Sequence, residues 1–171
     1  MTASDRTVTV AITDSSLPVG RDTVSASVVV SIETDQSLID AAIISQYIAD
    51  NGIVATPAAE GLYVVIDDPG AGQSPTINST VRVSYDGKFI ELNSQNQLVD
   101  GDSFDVSSED GATFPLANVI RGWQLGIPYF KTGGIGKLLI PSSLAYGPSG
   151  SGAIPPNSVL VFDVQLLEIV S

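Results

Sequence analysis

The chain has 171 residues, 43% of them hydrophobic, enough for one medium domain or a small domain with an appendage, and too apolar for wholesale disorder. Seven Lys and Arg stand against nineteen Asp and Glu, a formal net charge of -12, which argues against nucleic acid and against a basic contact with an anionic membrane. With no Cys and no His, disulfides, thiolate nucleophiles, the usual zinc sites and His-based triads are excluded.

In chain order, residues 7–13 (TVTVAIT) alternate Val8, Val10 and Ile12 with Thr and predict a half-buried strand. A loop with Pro18 and Gly20 leads to a second strand over residues 23–32, where Val24, Ala26, Val28 and Val30 share a face. The two can pair as a hairpin. Residues 37–50 predict a helix, capped by Asp35 or Ser37 and ended by Gly52, with Leu38, Ala41, Ala42, Ile44, Tyr47 and Ile48 mostly on one face. TPAAEG (56–61) reads as a linker, which sets a boundary near residue 58.

From Leu62 onward the pattern is mostly β. Residues 62–66 form a strand, DDPGAGQSP a loop, and Val81, Val83 and Tyr85 alternate in the next strand. Residues 86–103 are polar and Gly-containing and read as a long hairpin connection. A short helix is expected around 119–125, a strand over 137–140, and a Gly- and Pro-rich loop over 144–157. Residues 159–169 form a long apolar run with few breakers, the mark of a strand central in its sheet.

Five blocks then stand in order: VSYDG (83–87), SFDVSS (103–108), FPLANVIRGWQLGI (114–127), KLLIPSSLAYG (137–147) and AIPPNSVLVFDVQLLEI (153–169). Together they resemble the FKBP-type peptidyl-prolyl cis-trans isomerases over roughly residues 59–171. The resemblance implies an α+β fold, a bent antiparallel sheet wrapped around one short helix. Residues 1–58 would be an extension of hairpin and helix, and 59–171 the isomerase domain. It implies a pocket with Tyr85, Asp105, Trp123, Ile154, Tyr146 and Phe162 as catalytic residues and Phe104, Phe114, Val119 and Ile120 binding substrate. Trp123 would be the floor. The Ile154 N–H and the Tyr146 hydroxyl would hold a ligand carbonyl, and Asp105 would accept from Tyr85. Pro-containing polypeptides and macrolide inhibitors are the implied ligands, with no cofactor.

Elementary chemistry agrees. The amide before proline rotates over a barrier of ~18–20 kcal/mol, and uncatalysed exchange takes on the order of 10–100 s. No bond is made or broken, so no nucleophile, metal or titrating base is needed. The twisted amide is less polar than the planar one, and an apolar pocket favours it. Read singly, the same residues are plain: Trp123 is a core aromatic, Phe104 and Phe162 sheet packing, Asp105 a strand-edge carboxylate, and IPP (154–156) a strand stop.

Two departures from the family pattern stand out. Residues 88–102 carry an insertion of several residues, expected to lengthen the hairpin so that it reaches over or beside the pocket. The loop after Tyr146 is short, rich in Gly and Ser, and lacks an aromatic or His. The alternative function is a non-catalytic peptide-binding or chaperone module using the same groove, with residues 1–58 serving a homodimer. Family members with such extensions are common as periplasmic, secreted or lipid-anchored proteins, and that setting is favoured over the cytoplasm.

Overall fold

A computed structural model describes residues 35–171; the hairpin expected over residues 7–32 lies outside them. The first element is helix α1, Gln36–Asn51, and the first strands are β1, Thr56–Pro57, and β2, Tyr63–Asp68. A long strand β3, Thr80–Leu92, turns back into β4, Leu98–Val106, followed by the short β5, Ala112–Pro115. Helix α2, Arg121–Gly126, precedes β6, Ile135–Ile140, and β7, Leu160–Ile169. The strands form one antiparallel sheet in the order β1-β2-β6-β7-β3-β4, with β5 paired to β3 as well. Besides β7, β3 therefore serves two partners: Thr80–Val83 pair with β5 and Asp86–Leu92 with β4.

Both faces of this sheet are covered, each by its own helix. On the front, Leu138 and Ile140 of β6, Leu160, Phe162, Val164 and Leu166 of β7, and Val81 and Val83 of β3 pack with Trp123 of α2. Helix α2 carries Gly at 122 and 126, poor helix formers that permit close approach. A β-carbon at Gly122 would stand 2.5 Å from Ile140, and one at Gly126 2.6 Å from Leu138. On the back, Ile44 and Tyr47 of α1 pack with Leu139, Val159 and Val161. The unbroken apolar start of β7 has this cause: Leu160 and Phe162 face α2 while Val161 faces α1. Further along, the alternate positions turn polar as Asp163 and Gln165.

A charged cluster extends the back-face contact. Lys88 Nζ lies 2.7 Å from Asp163 Oδ2, and Lys137 Nζ lies 2.6 Å from Asp163 Oδ1 and 3.0 Å from Asp100 Oδ2. Tyr47 donates its hydroxyl to Asp100. Burial, then this bond, holds the Tyr47 hydroxyl well above the ordinary tyrosine range.

Three expectations are changed by this packing. Residues 86–103 are not a polar connection: β3 runs to Leu92, β4 begins at Leu98, and only a tight turn separates them. Asn93 builds that turn, its Oδ1 accepting from the N–H groups of Gln95 and Gln97, both at 2.9 Å. Nor does the lengthened hairpin tip reach the pocket. It runs to α1, where Asp50 Oδ2 accepts from Leu98 N–H at 2.8 Å and Asn51 Nδ2 donates to the Leu98 carbonyl at 2.8 Å. TPAAEG is not a free linker either. Thr56 and Pro57 pair with Val64 and Tyr63, and Ala58 packs against the front core. Gln36–Ser171 forms one packed unit, so α1 belongs with the sheet rather than to a separate segment ending at 58.

Candidate functional site

Tyr85 and Gly87 sit on the front of β3 because they are two residues apart, and Asp86 points to the back, 3.5 Å from Lys88 Nζ. The YDG motif is thus one strand serving two faces. On the front, β3 supplies Tyr85, β4 Asp105, β5 Phe114, the turn before α2 Asn118, Val119 and Ile120, and α2 Trp123. With Tyr146 and Phe162 these line a cavity of about 350 Å³.

Four aromatic rings set its shape. Trp123 is 3% exposed and lies at the bottom. Three rings meet it edge-on: Tyr85 at 5.2 Å and 86°, Phe162 at 5.4 Å and 86°, and Phe114 at 5.7 Å and 83°. Near-perpendicular contacts of this kind suit the ring quadrupoles and fix each wall against its neighbour. The indole Nε1 is buried with no acceptor among the described residues.

The rim is polar. Tyr85 donates its hydroxyl to Asp105 Oδ2 at 2.9 Å. Burial, reinforced by the bond to Asp105 and its charge, pushes the Tyr85 hydroxyl up to about 12. Burial, then the Asp105 charge, also raises that of Tyr146. Both phenols are therefore neutral donors near neutrality. That of Tyr85 is committed to Asp105, whereas that of Tyr146 has no partner among the described residues.

Two expected site residues stand elsewhere. The Ile154 N–H is not open to a ligand: it donates to the Ser151 carbonyl at 2.8 Å, and the Ile154 carbonyl accepts from Ser151 N–H at 3.0 Å. Its side chain is buried in the front core and does not line the cavity. Phe104 is also off the lining. It stands behind the wall, edge-on to Phe162 at 5.5 Å and 89°.

Ile120, which lines the cavity, offers an open backbone donor there. Ile120 is the N-cap of α2, with φ -56 and ψ 150. Its carbonyl accepts from Trp123 N–H at 3.0 Å, but no acceptor among the described residues meets its own N–H. A residue that opens a helix has an N–H outside the helical ladder, a signal readable in VIRGW. Gln124 steadies the turn in front of it, its Nε2 donating to the Val119 carbonyl at 2.9 Å and the Ala117 carbonyl at 3.2 Å. Asn118 is a lining residue that nothing in the sequence singled out.

Comparison with known proteins points one way. A family model described as FKBP-type peptidyl-prolyl cis-trans isomerase matches residues 72–167. The chain is 41% identical over 114 residues to a peptidyl-prolyl cis-trans isomerase Mip of Coxiella burnetii, covering 65% of this chain and 46% of that protein. It is 42% identical over 114 residues to FkpA, an FKBP-type peptidyl-prolyl cis-trans isomerase of Escherichia coli K12, covering 66% of this chain and 39% of that protein. The chain thus spans less than half the length of these relatives. Among solved structures, a peptidyl-prolyl cis-trans isomerase of Pseudomonas syringae superposes with a TM-score of 0.65 at 29% identity, over 80% of this chain and 94% of that one. The crystal structure of E. coli FkpA gives 0.64 at 35% identity, over 78% and 60%.

Proposed function

Because this chain belongs to the family of FKBP-type peptidyl-prolyl cis-trans isomerases, we propose that its aromatic cavity accelerates rotation about X-Pro bonds of polypeptides. The observation that carries this reading is the edge-on packing of Tyr85, Phe114 and Phe162 around a buried Trp123. The box is closed to water at its base and apolar on its walls, and it holds a proline ring. The rotating amide loses resonance and polarity on the way to the transition state, so this box stabilises the twisted form more than the planar one. Each ~1.4 kcal/mol of that difference is worth tenfold in rate.

The rim does the orienting. The Ile120 N–H and the Tyr146 hydroxyl have no partner among the described residues, and they hold a carbonyl flanking the proline. Asp105 fixes the Tyr85 ring through its hydroxyl bond. No proton is transferred, and none of these groups has to titrate.

The test is exchange spectroscopy on a Pro-containing peptide with wild type, Asp105→Ala and Phe162→Ala. Acceleration by wild type, cut at least about tenfold by either substitution, is expected. Turnover unchanged in both variants would sink the reading. The substrates proposed are Pro-containing segments of folding or flexible proteins. The setting proposed is periplasmic, secreted or lipid-anchored, to be checked by fractionating cells that express the full-length gene. No described helix is long and apolar enough to cross a membrane.

A further inference from the structure

Asp40 is 1% exposed, and no Lys or Arg among the described residues pairs with it. A buried carboxylate without a cation is costly unless hydrogen bonds replace its water. Here Oδ1 accepts from Gln36 Nε2 at 2.7 Å, within α1. Oδ2 accepts twice from Ser142, at 2.8 Å from the N–H and 2.6 Å from the hydroxyl. Ser142 is itself 2% exposed.

Ser142 opens the turn that carries Tyr146. The Leu144 N–H donates to the Pro141 carbonyl at 3.0 Å and the Ala145 N–H to the Ser142 carbonyl at 3.1 Å. Leu144 is buried in the front core and Ala145 packs against it. Tyr146 follows at the cavity rim. The first residue of this turn is therefore tied to a helix that lies outside the residues matched by the family model, 72–167.

We infer that Asp40 is a positioning residue for the cavity: its two bonds to Ser142 fix the turn at 142–145, and through it the place of Tyr146. Helix α1 is then part of what makes the site, not an appendage to it. As a catalytic effect, this rests on the isomerase reading above. As a structural effect, it does not.

The experiment joins two readouts on the full chain. Amide hydrogen exchange at Leu144 and Ala145 reports the turn whether or not the protein is an isomerase. In Asp40→Ala it is expected to quicken about tenfold while the Phe162 and Val164 amides of β7 keep their protection. In parallel, kcat/KM for a Pro-containing peptide falls about tenfold in Asp40→Ala and about threefold in Ser142→Ala, which keeps the N–H bond. Asp40→Ala added to Tyr146→Phe costs no more than about twofold beyond Tyr146→Phe alone, because both act on one group. If Asp40→Ala does not fold, Ser142→Ala alone carries both readouts. Unchanged exchange at Leu144 and Ala145 overturns the inference, as does a loss that multiplies in full with that of Tyr146→Phe. Wild type without catalysis would end the isomerase reading, and the amide exchange would still decide the role of Asp40 in the turn.

Discussion

Gly87 and Phe162 are directly paired across the β3–β7 ladder, and the Phe162 ring occupies the space over Gly87: a β-carbon there would stand 2.7 Å from Phe162 Cε1. It would also stand 2.8 Å from Phe104 Cζ. Gly87 is what lets Phe162 pack down onto the sheet as the wall beside Trp123, with Phe104 behind it. Gly87→Ala should lift Phe162 off its seat, costing about 2 kcal/mol in urea unfolding and at least about tenfold in kcat/KM. Activity equal to wild type would show that the wall tolerates the shift.

The open N–H of Ile120 can be removed with little backbone cost. Its φ of -56 is one proline adopts, and the preceding Val119, at φ -95 and ψ 174, is already extended. Ile120→Pro should lower kcat/KM at least about tenfold, with Ile120→Val, which keeps the N–H, within about threefold of wild type. Equal losses in both variants would assign the role to the side chain instead.

Tyr85 sets a limit at high pH. Its hydroxyl, pushed up to about 12 from the ordinary 10.0 by burial and then by Asp105, is bound more tightly to its proton in the folded protein than in the unfolded chain. Its contribution to stability is therefore whole below the unfolded value and lost as pH rises through the folded one. The stability difference between wild type and Tyr85→Phe should hold up to about pH 10 and shrink towards pH 12. The phenolate absorbance missing from Tyr85→Phe should develop over the same upper range. A one-tyrosine step at the ordinary value would refute the shift.

Helix α1 contributes stability through its buried face. Ile44 is fully buried against Leu139, Val159 and Val161. Ile44→Ala should cost about 3 kcal/mol in urea unfolding. A chain beginning at residue 59 would expose that apolar back face and should unfold at lower urea than the full chain. A loss under about 1 kcal/mol for Ile44→Ala would mean that α1 is only loosely held.

Much of this arrangement could be read from residue order. β7 declared itself as a central strand because it is covered on two faces, and Tyr85, Phe114, Trp123 and Phe162 fell on blocks whose order identified the box. What stayed hidden depended on partners far away in the chain. The polar character of residues 86–103, with Gly87 and Gly101, made the β3–β4 hairpin look like a connection, whereas Lys88 and Asp100 lie together at 3.4 Å in the back-face charge cluster. Pro57 suggested a linker, yet a proline is tolerated on the outermost strand of a sheet, where no ladder bond is missed. That the Ile154 N–H is not free is decided by the Ser151 carbonyl, which no local pattern predicts. An Asp in an amphipathic helix gives no sign that the donors to its carboxylate lie a hundred residues on; Asp40 emerged only from the packing of α1 against Ser142.

Whether this cavity isomerises prolyl bonds is decided by exchange NMR on a Pro-containing peptide with and without a macrolide inhibitor of the family. The protein should shorten the exchange time from its uncatalysed range of about 10–100 s, and the inhibitor should abolish the acceleration. Binding of the peptide with no acceleration would contradict it and leave a recognition module in the isomerase's place.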